Sequence, residues 1–303
     1  MNSKQIKPLS TVHRPPSTAI LPPMLATYHA HSTFCDGKDT PDAMADAAFA
    51  AGYRIFGFSA HAPVPVPSPG NLSTDRVAPY ASAVRAAAAR YEGRMEILTG
   101  LEIEWVPGIG IPPEDGYASV SVDYRIGSLH FARLPSGTFF SVDGPEEMFR
   151  LGTAEGYGGD GVRLYREYYR ELAGLVRTGG FQILGHMDIV KMHNRDGRWF
   201  DETSPGYLSA AFEVAEALEG TGIAVEVNTG GLARGKTAEP YPSLRILREL
   251  RRRGIPIVIG ADAHAAGHLD LKWRRIGLDF AREAGYRELA VLRGAGWTTG
   301  ALE

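Results

Sequence analysis

Short, nearly continuous apolar runs alternate with amphipathic stretches along most of the chain. LATYHA (25–30), RIFGFSA (54–60), MEILTGLEI (95–103), YRIGSLHF (124–131), FQILGH (181–186), IAVEVN (223–228) and IPIVIGAD (255–262) read as buried strands. The segments between them carry helical periodicity. Thr40 and Pro41 set an N-cap and a first helical position, opening a helix that runs through Ala51 and stops at Gly52. Further helices are expected near 75–91, 161–178, 205–219, 243–254 and 270–285. The short apolar segment ELAVL (288–292) finishes the pattern. Residues 132–160 are Gly-rich and break it, so they are expected to form an irregular insertion. Strands alternating with helices over such a length predict a parallel sheet covered by helices. Seven or eight such units favour an α/β fold closed, or nearly closed, into a (β/α) barrel. That places a single domain at 24–303, with a doubly wound open sheet as the weaker alternative. The Pro-, Ser- and Thr-rich stretch 1–23 reads as a flexible N-terminal extension.

Composition narrows the function classes. The 303 residues are 44% hydrophobic and 22% charged, as expected of a globular protein with a substantial core. A net charge of −3 argues against nucleic-acid binding, which calls for a basic stripe. The basic run Arg251–Arg253 ends a helical pattern, where cations offset the helix dipole. The single cysteine, Cys35, rules out an intrachain disulfide, fits a reducing cytoplasmic setting and reads as packing. No apolar run is long enough to span a bilayer, and the N-terminus lacks the apolar core of a secretion signal. There is no P-loop, no GxGxxG after the first strand and no GxSxG elbow.

Six of the nine histidines fall at predicted strand ends. His29 and His31 end the first strand, His61 the second, His130 the fourth, His186 the fifth and His264 the seventh. Glu102 ends the third strand, Asp262 precedes His264 in ADAH, and Asp36 follows the first strand closely. In a β/α barrel these strand ends meet on one face, where active sites are built. Each residue alone has an ordinary explanation as a loop hydrogen-bonding group or a turn residue. Together they do not, because packing this many imidazoles and carboxylates side by side is costly without a cation to balance them. Nitrogen and oxygen ligands suit Zn²⁺, Mn²⁺ or Fe²⁺, and nine candidates exceed the needs of one ion, so two or three divalent ions are expected. A pair of such ions can hold a hydroxide between them and clamp phosphoryl oxygens, which points to hydrolysis of a phosphoester.

These motifs, HAH with DG (29–37), SAH (59–61), GLEIE (100–104), GSLH (127–130), GHMD (185–188) and ADAH (261–264), resemble in order those of the PHP (polymerase and histidinol phosphatase) family. The resemblance covers roughly Met24 to Leu292. It implies a distorted (β/α)7 TIM-like barrel with a trinuclear site. One metal would take His29, His31, Glu102 and Asp262. A second would share Glu102 and add His130 and His186, and a third would take Asp36, His61 and His264. EVNTGGLARGKTAEPYPSLRIL (226–247), and DYRIGSLHF (123–131) with VDG (142–144), look like the monofunctional histidinol-phosphatase branch. That branch implies hydrolysis of L-histidinol phosphate to L-histidinol and phosphate. The chain departs from the pattern at Ala60, where an acid is expected, and in GGLARG, where the branch often carries a more basic run.

Roles follow from these positions. Arg234 is expected to clamp the phosphate in a bidentate manner, with Lys191 as a second cation. Asp262, His264 or a metal-bound water is expected to protonate the leaving group, with Glu102 bridging two metals. Glu226 and Asn228 end the sixth strand and are expected either to support the ligands or to contact the substrate amine. Tyr241-Pro242 closes a loop over the pocket, while His193 and His268 read as bystanders. Two rival functions remain at this level. One is a PHP phosphoesterase acting on another small phosphomonoester or a nucleotide; the other is a metal-binding barrel that has lost catalysis. An intact set of ligands argues against the second.

Overall fold

A computed structural model of the chain describes residues 25–112, 117, 120–293 and 296–302; the expected extension at 1–23 lies outside these. The elements run β1 (Ala26–Thr27), α1 (Pro41–Ala50), β2 (Ile55–His61), α2 (Thr74–Arg90), β3 (Glu96–Glu104), β4 (Tyr124–Ser128), β5 (Phe131–Arg133), β6 (Phe139–Ser141), α3 (Glu146–Tyr157), α4 (Gly161–Thr178), β7 (Ile183–Leu184), α5 (Pro205–Leu218), β8 (Ala224–Asn228), α6 (Gly230–Ala233), α7 (Leu244–Arg252), β9 (Ile257–Gly260), α8 (Leu271–Glu283), β10 (Glu288–Arg293) and β11 (Gly296–Ala301). The helix signals act as read. The Thr40 hydroxyl accepts from the Ala43 N–H at 3.3 Å, Asp160 accepts from Val162 and Arg163, and Ser204 accepts from Tyr207 ahead of Pro205. Among the described residues no helix is long and apolar enough to cross a membrane.

The main sheet holds seven parallel strands in the order β1-β2-β3-β4-β7-β8-β9. The order follows the chain without the reversal that a doubly wound sheet requires. The seam between β1 and β9 is joined by a parallel bridge from Ala30 to Ala263, with the His31 N–H on the Ala263 carbonyl at 2.8 Å and the Ala263 N–H on the His29 carbonyl at 3.2 Å. The sheet is thus a nearly closed, distorted β/α barrel, and its closing contacts lie among the histidines of the first motif.

Two apolar layers hold it. The larger lies between sheet and helices and takes in Phe56, Phe58, Leu101, Ile103, Val225, Val227, Ile257 and Ile259. The smaller fills the barrel with Ala26, Tyr28, Ile55, Leu98, Tyr124, Ile126, Ile183, Ala224 and Val258. The ring of Tyr124 occupies the centre, and its hydroxyl donates to the carbonyls of Tyr28 and Phe58. Gly57 and Gly100 make room for that ring: a Cβ at either would come within 2.4 Å of a Tyr124 atom. The floor is covered by the antiparallel hairpin β10–β11, whose Val291 and Leu292 join the interior layer and whose Leu292 backbone is held by the Tyr28 hydroxyl.

Two expectations change. ELAVL does not finish the chain's structure, because it pairs with β11. The stretch 132–160 is regular rather than irregular: β5 and β6 form a hairpin and α3 lies against it. The buried stripe of α3 is Phe149, Gly152, Thr153 and Tyr157. Two of these four are small or polar, so the helical period does not register as hydrophobicity. Gly152 is there because Phe140 packs onto it, at 2.3 Å from where a Cβ would sit.

The central ring gives a direct test of the interior packing. Gly100→Ala forces a methyl group into Tyr124 and is expected to lower stability by about 1–3 kcal/mol, the usual cost of overpacking a filled core. Urea unfolding of the two proteins side by side measures it.

Candidate metal centre

Period-2 alternation delivers most of the site. The inward positions of β2 are Ile55, Gly57, Ser59 and His61, and those of β3 are Leu98, Gly100, Glu102 and Glu104. Along β4 and its continuation they are Tyr124, Ile126, Ser128 and His130; β8 supplies Ala224, Glu226 and Asn228, and β9 supplies Val258, Gly260 and then Asp262. Each strand therefore begins inside with apolar or small residues and ends with polar ones. In β1 the alternation breaks: the ladder stops after Thr27, and Tyr28 and His29 both turn inward. Ala30 packs into the outer layer and His31 faces in again.

Glu102 sits at the centre. Its Oε2 lies 3.1 Å from His29 Nε2, 3.0 Å from His61 Nδ1 and 3.5 Å from His31 Nε2. Its Oε1 lies 3.1 Å from His186 Nε2 and 3.6 Å from His130 Nε2. The register supports this, since His61 and Glu102 are direct neighbours on β2 and β3. Asp262 closes the seam side, with Oδ1 3.5 Å from His31 Nε2 and 3.3 Å from His264 Nδ1. Asp36 lies at the outer edge, 3.0 Å from His264 Nε2, 3.4 Å from His31 Nδ1 and 3.7 Å from His61 Nε2. The rings of His31 and His264 stack at 4.1 Å.

Ligand atoms close enough to share an ion occur in four groups: His31, Asp36, His61 and His264; His29, His31 and Asp262; His29, Glu102 and His186; His61, Glu102 and His130. Together they contain all nine side chains singled out from the strand ends, so the fold brings every one of those residues to one place.

Two further carboxylates orient the imidazoles. Glu226 accepts from His29 Nδ1 at 2.9 and 3.0 Å, and Glu104 accepts from His130 Nδ1 at 2.6 Å and from the His130 backbone N–H at 2.7 Å. With Nδ1 carrying the hydrogen, each ring turns a bare Nε2 lone pair toward the cluster, the arrangement that metal-ligating histidines use. Sequence reasoning left Glu104 without a role. The available signal was its position two residues after Glu102, on the same face of β3. Gly260 serves Glu226 directly, because a Cβ there would lie 1.7 Å from the carboxylate.

The donor set fits divalent cations on this geometry. His31 Nε2 is buried without a hydrogen-bond partner, equidistant from oxygens of Glu102 and Asp262. His130 Nε2 and His186 Nε2 face each other at 3.1 Å. Buried lone pairs aimed at one another and at carboxylates are costly unless a cation sits among them. Burial, with His264 and His61 alongside, pushes His31 down to about 3, so it stays neutral and keeps one ring nitrogen free as a ligand. Burial opposes charge on Glu102, yet His29, His61 and His186 outweigh it and hold the carboxyl well below its usual range. Asp262 is likewise buried and likewise held low, first by Arg234.

Of the expected substrate-binding residues, Arg234 and Asn228 bond to residues of this cluster, and Lys191 is held by carboxylates outside it. Arg234, just after α6, donates from Nη1 to the Asp262 carbonyl at 2.9 Å and to His264 Nδ1 at 2.8 Å, and from Nη2 to Asp262 Oδ2 at 2.9 Å. It thereby fixes Asp262, whose backbone is left-handed at φ 44°. The Asn228 amide donates to Glu226 Oε2 at 2.9 Å and Asp262 Oδ2 at 3.2 Å. The Lys191 ammonium is buried and engaged by Glu239 at 2.6 Å and Asp188 at 3.0 Å, so a phosphate would compete with two carboxylates for it. His193, read as a bystander, donates from Nε2 to the Gly144 carbonyl at 2.8 Å and ties the GHMD loop to the 131–157 segment.

Comparison with known proteins agrees with this geometry. The protein of Deinococcus radiodurans named "Probable histidinol-phosphatase" is 31% identical over 252 residues, covering 82% of this chain and 90% of that protein. The histidinol-phosphatase of Bacillus subtilis is 26% identical over 261 residues, covering 79% and 93%. The solved histidinol phosphate phosphatase of Lactococcus lactis, in complex with zinc, L-histidinol and phosphate, is similar to this chain with a TM-score of 0.67 at 23% identity, covering 90% and 98%; this shows a common fold. A model of the PHP domain matches residues 27–230, which takes in five of the six strand-end motifs. By that match and by its similarity to the Deinococcus protein over most of both lengths, this chain belongs to the PHP domain family.

Proposed function

We propose that this protein is a metal-dependent histidinol-phosphatase, hydrolysing L-histidinol phosphate to L-histidinol and phosphate in histidine biosynthesis. The observation that carries the reading is an intact nine-residue cluster with unpartnered buried lone pairs, in a family member whose full-length relatives bear that name. Two or three divalent ions, zinc, manganese or iron, would be held by His29, His31, Glu102 and Asp262, by Glu102, His130 and His186, and by Asp36, His61 and His264. When bound, such ions supply positive charge to phosphoryl oxygens and lower the pKa of water enough to provide a nucleophile at neutral pH. A cytoplasmic location goes with this reading and with a chain whose one cysteine is a free thiol.

The chain's own residues supply the rest. Glu226 and Glu104 hold His29 and His130 in one tautomer, and Asn228 holds both Glu226 and Asp262. Arg234 positions Asp262 and His264 and has donors left for a phosphate oxygen, because its five N–H groups are not exhausted by three bonds. His264 is the candidate for protonating the departing oxygen; Asp262, which Arg234 and the surrounding histidines keep ionised, is not.

Phosphate release from L-histidinol phosphate should exceed that from a panel of sugar phosphates and nucleotides, with Mn²⁺ or Zn²⁺ present, and should vanish on chelation. Activity confined to other esters would overturn the substrate assignment. The double substitution His31→Ala with Glu102→Ala should empty the centre, read as metal per chain by elemental analysis; full retention would refute the ligand set. Glu226→Gln should weaken metal binding by roughly 10- to 100-fold, the usual effect of losing a carboxylate behind a ligating histidine. Competition with a chelator measures it. Arg234→Lys, which keeps the charge but loses the fork, should lower kcat/KM by about 10- to 100-fold in steady-state assays.

A further inference from the structure

Three of the nine clustered side chains are more exposed than the rest. Asp36, His61 and His264 are 35%, 15% and 17% exposed, against 10% or less for the other six. With His31 they form the outer group of possible ligands. His61 differs from its neighbours in a second way. His29 and His130 each have a carboxylate behind them. Both ring nitrogens of His61 instead face the centre, Nδ1 toward Glu102 at 3.0 Å and Nε2 toward Asp36 at 3.7 Å. Among the described residues no group outside the centre holds this ring by a hydrogen bond, so its place depends on the backbone that carries it.

That backbone is held by the segment that follows it. APVPVPSPGNL (62–72) contains no helix or strand, and every residue from Ala62 to Pro69 is a proline or precedes one. Both kinds of position have a narrow range of backbone angles, so a loop of this composition loses little freedom on folding. Its two ends meet at His61. The Leu72 N–H donates to the His61 carbonyl at 3.0 Å, and Leu72 is anchored in the outer apolar layer. The Asn71 amide donates to the Ala62 carbonyl at 2.7 Å, while the Ala62 N–H donates to the Glu102 carbonyl at 2.8 Å. Asn71 is set for this bond by Ser68, whose carbonyl accepts from the Asn71 N–H at 3.1 Å and whose hydroxyl donates to the Asn71 side-chain oxygen. The same stretch of chain reaches a second ligand. A Cβ at Gly70 would stand 3.6 Å from that of Asp36, and Arg76 in the first turn of α2 donates to the Thr33 carbonyl, in the loop that carries Asp36, at 3.1 Å.

We infer that the proline-rich segment 62–72 is a stiff clamp for the outer metal position, and that Asn71 is the positioning residue that fixes His61 there. The inference rests on the reading of the cluster as a metal centre. Asn71 acts through the Ala62 carbonyl, one residue beyond His61. The buried members need no such device, because the barrel interior, Glu226 and Glu104 already hold them. The outer position joins a loop residue, Asp36, to two strand-end histidines at the exposed edge. Its affinity for a cation is therefore set by how firmly segment 62–72 keeps His61 within reach of Asp36.

The test uses the full chain loaded with Mn²⁺ and equilibrated against rising concentrations of nitrilotriacetate, with metal per chain read by elemental analysis. Asp36→Ala removes a ligand of the outer position alone and so identifies its step in the release curve. Asn71→Ala should bring that step to a chelator concentration roughly 3- to 10-fold lower, the worth of one hydrogen bond. The remaining metal and the melting temperature of the metal-free protein should match wild type. The double substitution Pro65→Gly with Pro67→Gly loosens the loop at two exposed positions and removes none of these hydrogen bonds; it should shift the same step in the same direction. An outer step unmoved in either variant overturns the inference. So does a uniform shift of every step with a lower metal-free melting temperature in Asn71→Ala, which would make Asn71 an ordinary support of the fold. A wild-type release curve identical to that of Asp36→Ala leaves nothing for Asn71 to hold and overturns it as well. Wild-type protein that retains neither Mn²⁺ nor Zn²⁺ would defeat the metal-centre reading itself, and that result is visible before any variant is made.

Discussion

A carboxylate buried at the mouth of a barrel has to be met by positive charge or by hydrogen-bond donors, and Glu102 is that carboxylate. Three imidazole nitrogens lie within 3.1 Å of its oxygens, and those of His31 and His130 stand slightly farther off. The pattern then repeats outward. Glu226 backs His29 and Glu104 backs His130, so acid and imidazole alternate from one wall of the barrel to the other. Such a network is stable only when every member is satisfied. The unpartnered Nε2 of His31, and the facing Nε2 atoms of His130 and His186, mark where it calls for cations.

That demand explains much of the rest of the fold. The centre draws side chains from strands all around the barrel, so its precision depends on each strand's height and twist. The interior below it is accordingly packed by large rings in a fixed place, with Tyr124 lodged against Gly57 and Gly100 and the C-terminal hairpin covering the floor. Glycine recurs where a functional carboxylate needs room. Gly260 lies under Glu226, and Gly230 lies against Asp262. Even the barrel seam is closed by the backbone of the HAH motif, so metal ligation and barrel closure share the same residues.

The segment 131–157 belongs to this arrangement rather than to the periphery. Its hairpin continues directly from His130, and His193 and Phe149 fasten it to the loop after β7. It is fixed beside the metal centre, because the Val142 N–H also donates to the His130 carbonyl.

How far the sequence reaches follows from the range of the forces involved. Period-2 and helical patterns are local, and they revealed the strands, most helices, the barrel and the nine strand-end residues, because parallel strands bring their C-terminal ends together whatever fills the loops. Local reading failed where a helix buries glycine and threonine in place of leucine, as α3 does, and where a second strand partner lies in a weakly apolar tail, as for β10. It also left Lys191 as a free cation, when Asp188 and Glu239 already hold it. Which carboxylate stands behind which imidazole, and which cation is spent on an internal pair, depend on contacts between residues far apart in the chain. The sequence by itself determined the elements and the identity of the polar strand ends; the tertiary structure alone decided their partners, because a hydrogen bond or ion pair depends on distances that only the closed barrel sets.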